Sequence, residues 1–247
     1  MIRRKSTEVL KELPPTITTV IPIKMEGKEL SNYNEAEEDI VSWIMENDKK
    51  KARSLSEDTL ALSKFSTLMG LAYEAKKKHA TKFIKGLLNV PDVKIIVFAY
   101  HKKAVNELKE VFGDIAVKLN GECSMKEKQL AVDRFQNDPK IRVFIGNTMS
   151  AGVGLTLTAG SRVVFVETGF NVSLVHQCVG RASRIGQTAD NVLVYFIVAD
   201  DSIESFVMKK LDSKKEVIDQ IMEGEDMEEE SMLSYLWENY QKNTKKA

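Results

Sequence analysis

The stretch RVFIGNTMSAGVGLTLTAGSRVVFVE, residues 142–167, decides the fold. It opens on an apolar run, RVFIGNT (142–148), crosses a loop, MSAGVGLTLTAG (149–160), and closes on a second apolar run, RVVFVE (162–167). Both runs are short, β-branched and aromatic, and neither alternates apolar with polar residues. Such runs are strands covered on both faces, the signature of a parallel sheet with helices on either side.

Working outward, the same texture extends over much of the chain after Pro91. KIIVFAY (94–100), IAVKL (115–119) and VLVYFIVA (192–199) read as further buried strands. Between them, apolar residues recur at helical spacing over Lys102–Phe112, with Val105, Leu108 and Phe112 on one face, over Met125–Phe135 and over Ser173–Ile185. A helix is also expected from Ser202 to Leu211. Strand–helix alternation of this kind predicts an α/β fold built on a parallel sheet flanked by helices. In such sheets ligands gather at the carboxyl ends of the strands. His101 and Lys102, Asn120-Gly121, and the segment from Asn147 to Gly154 fall at those ends.

The part before Pro91 is mostly helical. LKELPPT (10–16) ends a helix at a proline pair, TTVIPI (18–23) is a short extended run, and helical spacing recurs over Ser31–Trp43 and Leu60–Leu88. The charged segment between those helices, ENDKKKARSLSED, is turn-prone, and its Lys49–Arg53 run reads as a solvated helix face rather than an address signal. After about Lys214 the chain is dense in charge, includes GEDMEEE (224–230), and recovers an apolar helical pattern at Met232, Leu233, Leu236 and Tyr240. The expected organisation is a helical segment over 1–72, the α/β lobe over 73–213, and a charged linker with a docking helix over 214–247.

Composition bounds the function. Hydrophobic residues make up 43% and charged residues 29% of the 247, as in a globular protein with a full core. Lys+Arg and Asp+Glu are both 36, so an affinity for nucleic acid has to come from a local patch and not from net charge. The two cysteines, Cys123 and Cys178, lack metal-ligand spacing and are too few for a disulfide framework; buried thiols in a reducing, intracellular compartment are expected. The basic start, MIRRKSTEVL, has no apolar run behind it and is not a secretory signal.

Two features point to chemistry. The loop 149–160 carries three glycines and three hydroxyl residues just past a buried strand. Glycine there permits positive φ and brings backbone N–H groups close to an anion, although a tight structural turn accounts for the same residues. The spacing is not that of a dinucleotide fingerprint, which makes a Rossmann-type nucleotide enzyme a poor reading. The second feature is HQCVGRASRIGQ (176–187). On a helix running to Ile185, Gln177, Arg181 and Arg184 share one face, and Gly186 would stop that helix. Capping offers one account, since cations in the last turn complement the helix dipole. The other is a site for phosphate: two rigid, always-charged guanidiniums can hold the charge that spreads over a transferring phosphoryl group.

These segments, in this order, resemble the C-terminal RecA-like lobe of the superfamily-two helicases, specifically the Swi/Snf-type DNA translocases and, among them, the annealing-helicase (HARP-like) branch. RRKSTEVLKELPP (3–15), KIIVFAYHK (94–102), LNGECSMKEKQLAVDRFQND (119–138), FIGNTMSAGVGLTLTAGSRVVFVE (144–167) and HQCVGRASRIGQ (176–187) carry the resemblance, and the RIGQ ending is its most specific part. It covers roughly residues 3–215. It implies a RecA-like sheet with an N-terminal helical extension and a C-terminal helical tail. By position it implies that Arg181 and Arg184 act as catalytic arginine fingers on the γ-phosphate of ATP and that Gln177, Gly152 and Gly154 lie at the nucleotide. It places His101, Lys102, Asn147, Thr148 and Ser150 near the backbone of double-stranded or branched DNA. The family usually has an acidic residue and then Trp-Asn-Pro after the strand that ends here at Glu167; this chain has GFNV (169–172) in that region, with Phe170 for the Trp and no Pro.

No G-x-x-x-x-G-K-[ST] occurs in the 247 residues, and no Asp-Glu box follows an apolar strand. In this family those elements belong to the first lobe, which holds most of the ATP and its Mg²⁺. The expectation is therefore half of a two-lobe DNA-dependent ATPase, inactive alone and completed by a first-lobe helicase chain carrying the phosphate loop. The rival reading is a non-catalytic DNA-binding or regulatory adaptor lobe.

Overall fold

The computed structural model describes residues 13–47, 55–151, 154–169, 172–205 and 208. The helix expected before Pro14-Pro15, the Lys49–Arg53 run, the acidic segment 224–230 and the final docking helix lie outside the described residues, as does half of the helix expected over Ser202–Leu211.

Six strands form one sheet in the order β1-β6-β5-β2-β4-β3. They are β1 (Thr16–Ile23), β2 (Ile95–Ala99), β3 (Ala116–Leu119), β4 (Val143–Asn147), β5 (Arg162–Phe165) and β6 (Val192–Ala199). The pairs β2–β4, β2–β5, β3–β4 and β5–β6 are all parallel. In register, Val97 stands between Ile145 of β4 and Val164 of β5. The strand order reverses at β2: β4 pairs on one side of it and β5 on the other. The carboxyl ends of these three strands therefore meet at a topological switch point, where such sheets bind their ligands.

The helices are α1 (Gly27–Asn47), α2 (Leu55–Leu87), α3 (Lys102–Phe112), α4 (Met125–Asn137), the single turn α5 (Thr148–Ala151) and α6 (Val172–Ala182). Helix α2 begins five residues before the expected Leu60, inside the turn-prone segment.

By packing, the chain divides into two compact units, Met1–Ile21 with His79–Ile197, and Pro22–Lys78 with Val198–Ala247. In the first, every residue of β2 and β4 is buried. Helix α3 buries Ala104, Val105, Leu108 and Phe112, the face its periodicity predicts. Helix α4 starts at a capping box: the Ser124 hydroxyl accepts from the Glu127 N–H, and the Glu127 carboxylate accepts from the Ser124 N–H. Stacked and edge-on rings, Phe98–Phe165–Phe196 and Phe135–Phe144, fill the space against the sheet. Gly160 sits where backbone approaches this core closely; a Cβ there would lie 2.9 Å from Ile96 and 3.0 Å from Phe135.

The second unit buries Met25, Tyr33, Ile40, Phe65, Leu68, Met69 and Tyr73. Its polar core is a salt bridge between Lys76 of α2 and Glu204, at 2.5–2.6 Å, with side chains 0% and 1% exposed. The Glu204 carboxylate also accepts from the Ala199 N–H. The Tyr33 hydroxyl accepts from the Ile203 N–H at 2.7 Å. A buried charge pair survives only when its remaining hydrogen bonds are made, and here Glu204 makes them.

Candidate functional site

The site is assembled at the carboxyl ends of β2, β4 and β5. Glu167, fully buried just past β5, is its hub. One carboxylate oxygen accepts from the backbone N–H groups of Tyr100 (3.0 Å) and His101 (2.9 Å); the other lies 2.7 Å from His101 Nδ1. Asn147, the last residue of β4, donates its side-chain amide to the Tyr100 carbonyl at 2.5 Å and accepts from the Met149 and Ser150 N–H groups. It thus caps the short α5 turn. The ends of three strands are tied by two polar side chains, and His101 and Lys102 project from the knot.

Of the residues expected near DNA, the structure leaves His101, Lys102 and Ser150 with solvent access. Lys102 is paired with Glu122 at 3.1 Å, and the hydrogen bond and charge of that lysine hold the exposed Glu122 carboxyl below its ordinary value. Ser150 lies against the Asn120-Gly121 turn, 3.4 Å from where a Gly121 Cβ would sit. Asn147 and Thr148 are 6% and 1% exposed; the Asn147 side chain is held by the contacts above, while the buried Thr148 hydroxyl makes no hydrogen bond among the described residues.

Helix α6 carries Gln177, exposed, and Arg181, partly buried, one turn apart. Burial, then the charge of Arg184, pulls the Arg181 guanidinium below its ordinary value. Between them Cys178 is fully buried, and burial pushes its thiol up to about 12. The expectation of two buried thiols is corrected for Cys123, which is half-exposed; both cysteines are free.

A further correction concerns the helix end. Helix α6 stops at Ala182, so Arg184 is not on the helical stripe and Gly186 is not its stop. Three contacts account for this. The Leu157 N–H donates to the Arg181 carbonyl at 2.9 Å, taking one of the terminal acceptors. The Gln187 side-chain amide donates to the Ala182 carbonyl (3.1 Å) and to the Gly160 carbonyl (3.0 Å). Arg184 turns back, and its guanidinium donates to the Leu155 carbonyl at 3.2 Å. The helix is ended by the loop 155–160 and by a side chain, which together satisfy carbonyls that would otherwise lack partners. Gly186 keeps φ +96° for the turn that brings Gln187 back. Both arginines are thereby fastened to the glycine-hydroxyl loop. In that loop Gly154 has φ +59°, while Gly152 lies outside the described residues. Gln136 of α4 braces the same loop through Thr158 Oγ1 and the Ala159 N–H.

Sequence reasoning did not single out Glu167, Gln187 or Gln136. The first was visible as an acidic residue at a strand end and the second as the last letter of RIGQ, but neither position states what it holds.

The comparisons agree with this architecture. Residues 75–186 match the helicase conserved C-terminal domain. The chain superposes on the Sulfolobus solfataricus SWI2/SNF2 ATPase core in complex with dsDNA with a TM-score of 0.66 at 21% identity, covering 89% of this chain and 49% of that one. On the C-terminal domain of the Sulfolobus solfataricus SWI2/SNF2 ATPase the TM-score is 0.64 at 17% identity, covering 88% and 96%. Over residues 75–186 the chain is thus similar to a helicase conserved C-terminal domain, and the likeness to the solved structures shows the expected RecA-like α/β fold. In sequence the chain is similar to the DNA annealing helicase and endonuclease ZRANB3 of Mus musculus, 30% identical over 238 residues, which is 91% of this chain and 21% of that protein. The chain spans about a fifth of that relative's length.

Proposed function

We propose that the chain acts as the second lobe of an ATP-dependent DNA translocase. In this reading Arg181 and Arg184 meet the γ-phosphate of ATP bound against a first lobe, and the strand-end residues His101, Lys102 and Ser150 face the DNA backbone. The observation that carries it is the fastening of Arg181 and Arg184 to the loop 155–160 through Leu157, Gln187 and the Leu155 carbonyl. Helix capping alone does not call for an arginine tied to a loop 29 residues away in sequence.

The residues present suit a polyanion: two guanidiniums of fixed charge, one drawn partly out of water, where its field acts more strongly on a phosphoryl group. ATP would supply the bond that is broken. Gln177 and the backbone around Gly154 would line the nucleotide beside the arginines. The carboxylates for Mg²⁺ would be those of the Asp-Glu box of the first lobe. Each lobe grips the backbone, so closure around ATP and reopening after hydrolysis would step the pair along DNA.

The test is reconstitution with a lobe bearing the phosphate loop. DNA-stimulated ATPase is expected in the mixture and not with this chain alone. Arg181→Ala or Arg184→Ala should lower turnover by about 10³–10⁵, the worth of an arginine finger elsewhere, with DNA affinity little changed. DNA binding without turnover in every mixture would favour the adaptor reading.

A further inference from the structure

The contacts of Glu167 go beyond holding a loop. An ionised carboxylate has no proton to donate, and a buried one is tolerated only when its oxygens are satisfied. In Glu167, 0% exposed, one oxygen is taken by the N–H groups of Tyr100 and His101, which leaves the other to accept from the ring at His101 Nδ1, 2.7 Å away. The hydrogen bond at one ring nitrogen decides the state of the other. With the proton at Nδ1, Nε2 of the neutral ring carries a lone pair, which repels a phosphate oxygen. The imidazolium has a donor at both nitrogens.

We propose that Glu167 is a positioning residue: it fixes His101 with Nδ1 protonated, so that His101 contacts a nucleic-acid phosphate through Nε2 only after taking up a second proton. The proposal rests on the DNA-facing reading of the strand ends and adds to it a linkage between DNA binding and proton uptake. The surroundings are consistent with it. Tyr100 meets the imidazole edge-on at 5.1 Å between ring centres, and the Asn147 amide fixes the Tyr100 carbonyl. On the other side of Tyr100 the chain passes so close at Gly169 that a Cβ there would lie 2.8 Å from the ring. Lys102, the first residue of α3, has its ammonium balanced by Glu122 from the turn after β3, and Lys103 on the same helix pairs with Glu107. The His101 side chain is 26% exposed, so a phosphate can reach it.

The experiment uses the full chain with ¹⁵N-labelled histidine; its three histidines are assigned with His101→Gln. The neutral form of His101 should show the Nδ1-protonated signature, and Glu167→Gln should shift it toward the Nε2-protonated form. In parallel, affinity for a fluorescein-labelled DNA duplex is measured at constant ionic strength between about pH 5 and 8, the range in which histidine titrates. Wild-type affinity should rise as pH falls through the His101 transition, by at most about tenfold per pH unit for one linked proton. His101→Gln should flatten that rise. An Nε2-protonated His101 in the wild type, or a bound duplex whose affinity ignores pH, would overturn the inference. Should Glu167→Gln not fold, the wild-type signature and the His101→Gln profile decide it. A duplex that binds at no pH refutes the DNA-facing reading instead, while the ring signature still decides whether Glu167 sets the tautomer.

Discussion

Replacing Glu37 by glutamine should flatten the dependence of stability on pH between about 4.5 and 7. Glu37 lies on α1, with one carboxylate oxygen buried and without a hydrogen-bond partner. Burial is the largest influence and raises its pKa from 4.5 to about 7; a hydrogen bond from Tyr33 works against the rise, and the charge of Glu38 adds to it. The folded value is above the unfolded one, so the contribution to stability is complete below about pH 4.5 and is lost as pH rises through 7. Each tenfold step in proton affinity is worth about 1.4 kcal/mol, so the loss approaches about 3 kcal/mol at the upper limit, less where water reaches the half-buried side chain. The buried amide of the glutamine adds an offset that does not vary with pH, and the comparison is therefore between slopes. Urea unfolding followed by tryptophan fluorescence, at pH values from about 4 to 8, measures them. Two profiles that run parallel across this range would show that Glu37 is solvated in the folded chain and that the reasoning is wrong.

Two further outcomes follow from single contacts. Gln187→Ala removes the side-chain bonds to the Ala182 and Gly160 carbonyls, and each net bond is worth about 1 kcal/mol; the variant should unfold at lower urea and, in the reconstituted lobe pair, lose turnover more than DNA affinity. Glu204→Gln leaves the Lys76 ammonium buried beside a neutral partner and should cost about 3–5 kcal/mol, whereas Lys76→Met with Glu204→Leu should recover most of it; equal unfolding midpoints for the single and double variants would contradict this.

Much of the fold is legible in the chain because it is set by near neighbours. The period of apolar residues marks Lys102–Phe112 with its buried face, and the runs at 95–99, 143–147 and 192–199 are strands by composition alone. The arginines and the loop of the candidate site are legible as a motif for the same reason. The end of α6 is not. Gly186 is a plausible local stop, but the groups that end the helix come from Leu157 and Gln187, and Gln187 also reaches Gly160, 27 residues away in sequence. Nor is the Lys76–Glu204 pair, whose partners stand 128 residues apart in the chain.

The sequence by itself determined the class of fold, the elements that build it and the presence of two arginines fit for a phosphoryl group, since periodicity, turn residues and charge type act over a few residues. The tertiary structure alone decided the strand order β1-β6-β5-β2-β4-β3, the burial of Asn147 and Thr148, and the grip of Glu167 on His101. Buried strands of similar composition carry no mark of which neighbours they take. A carboxylate acquires a role when the folded sheet removes it from water and leaves the donors of another strand end to satisfy it.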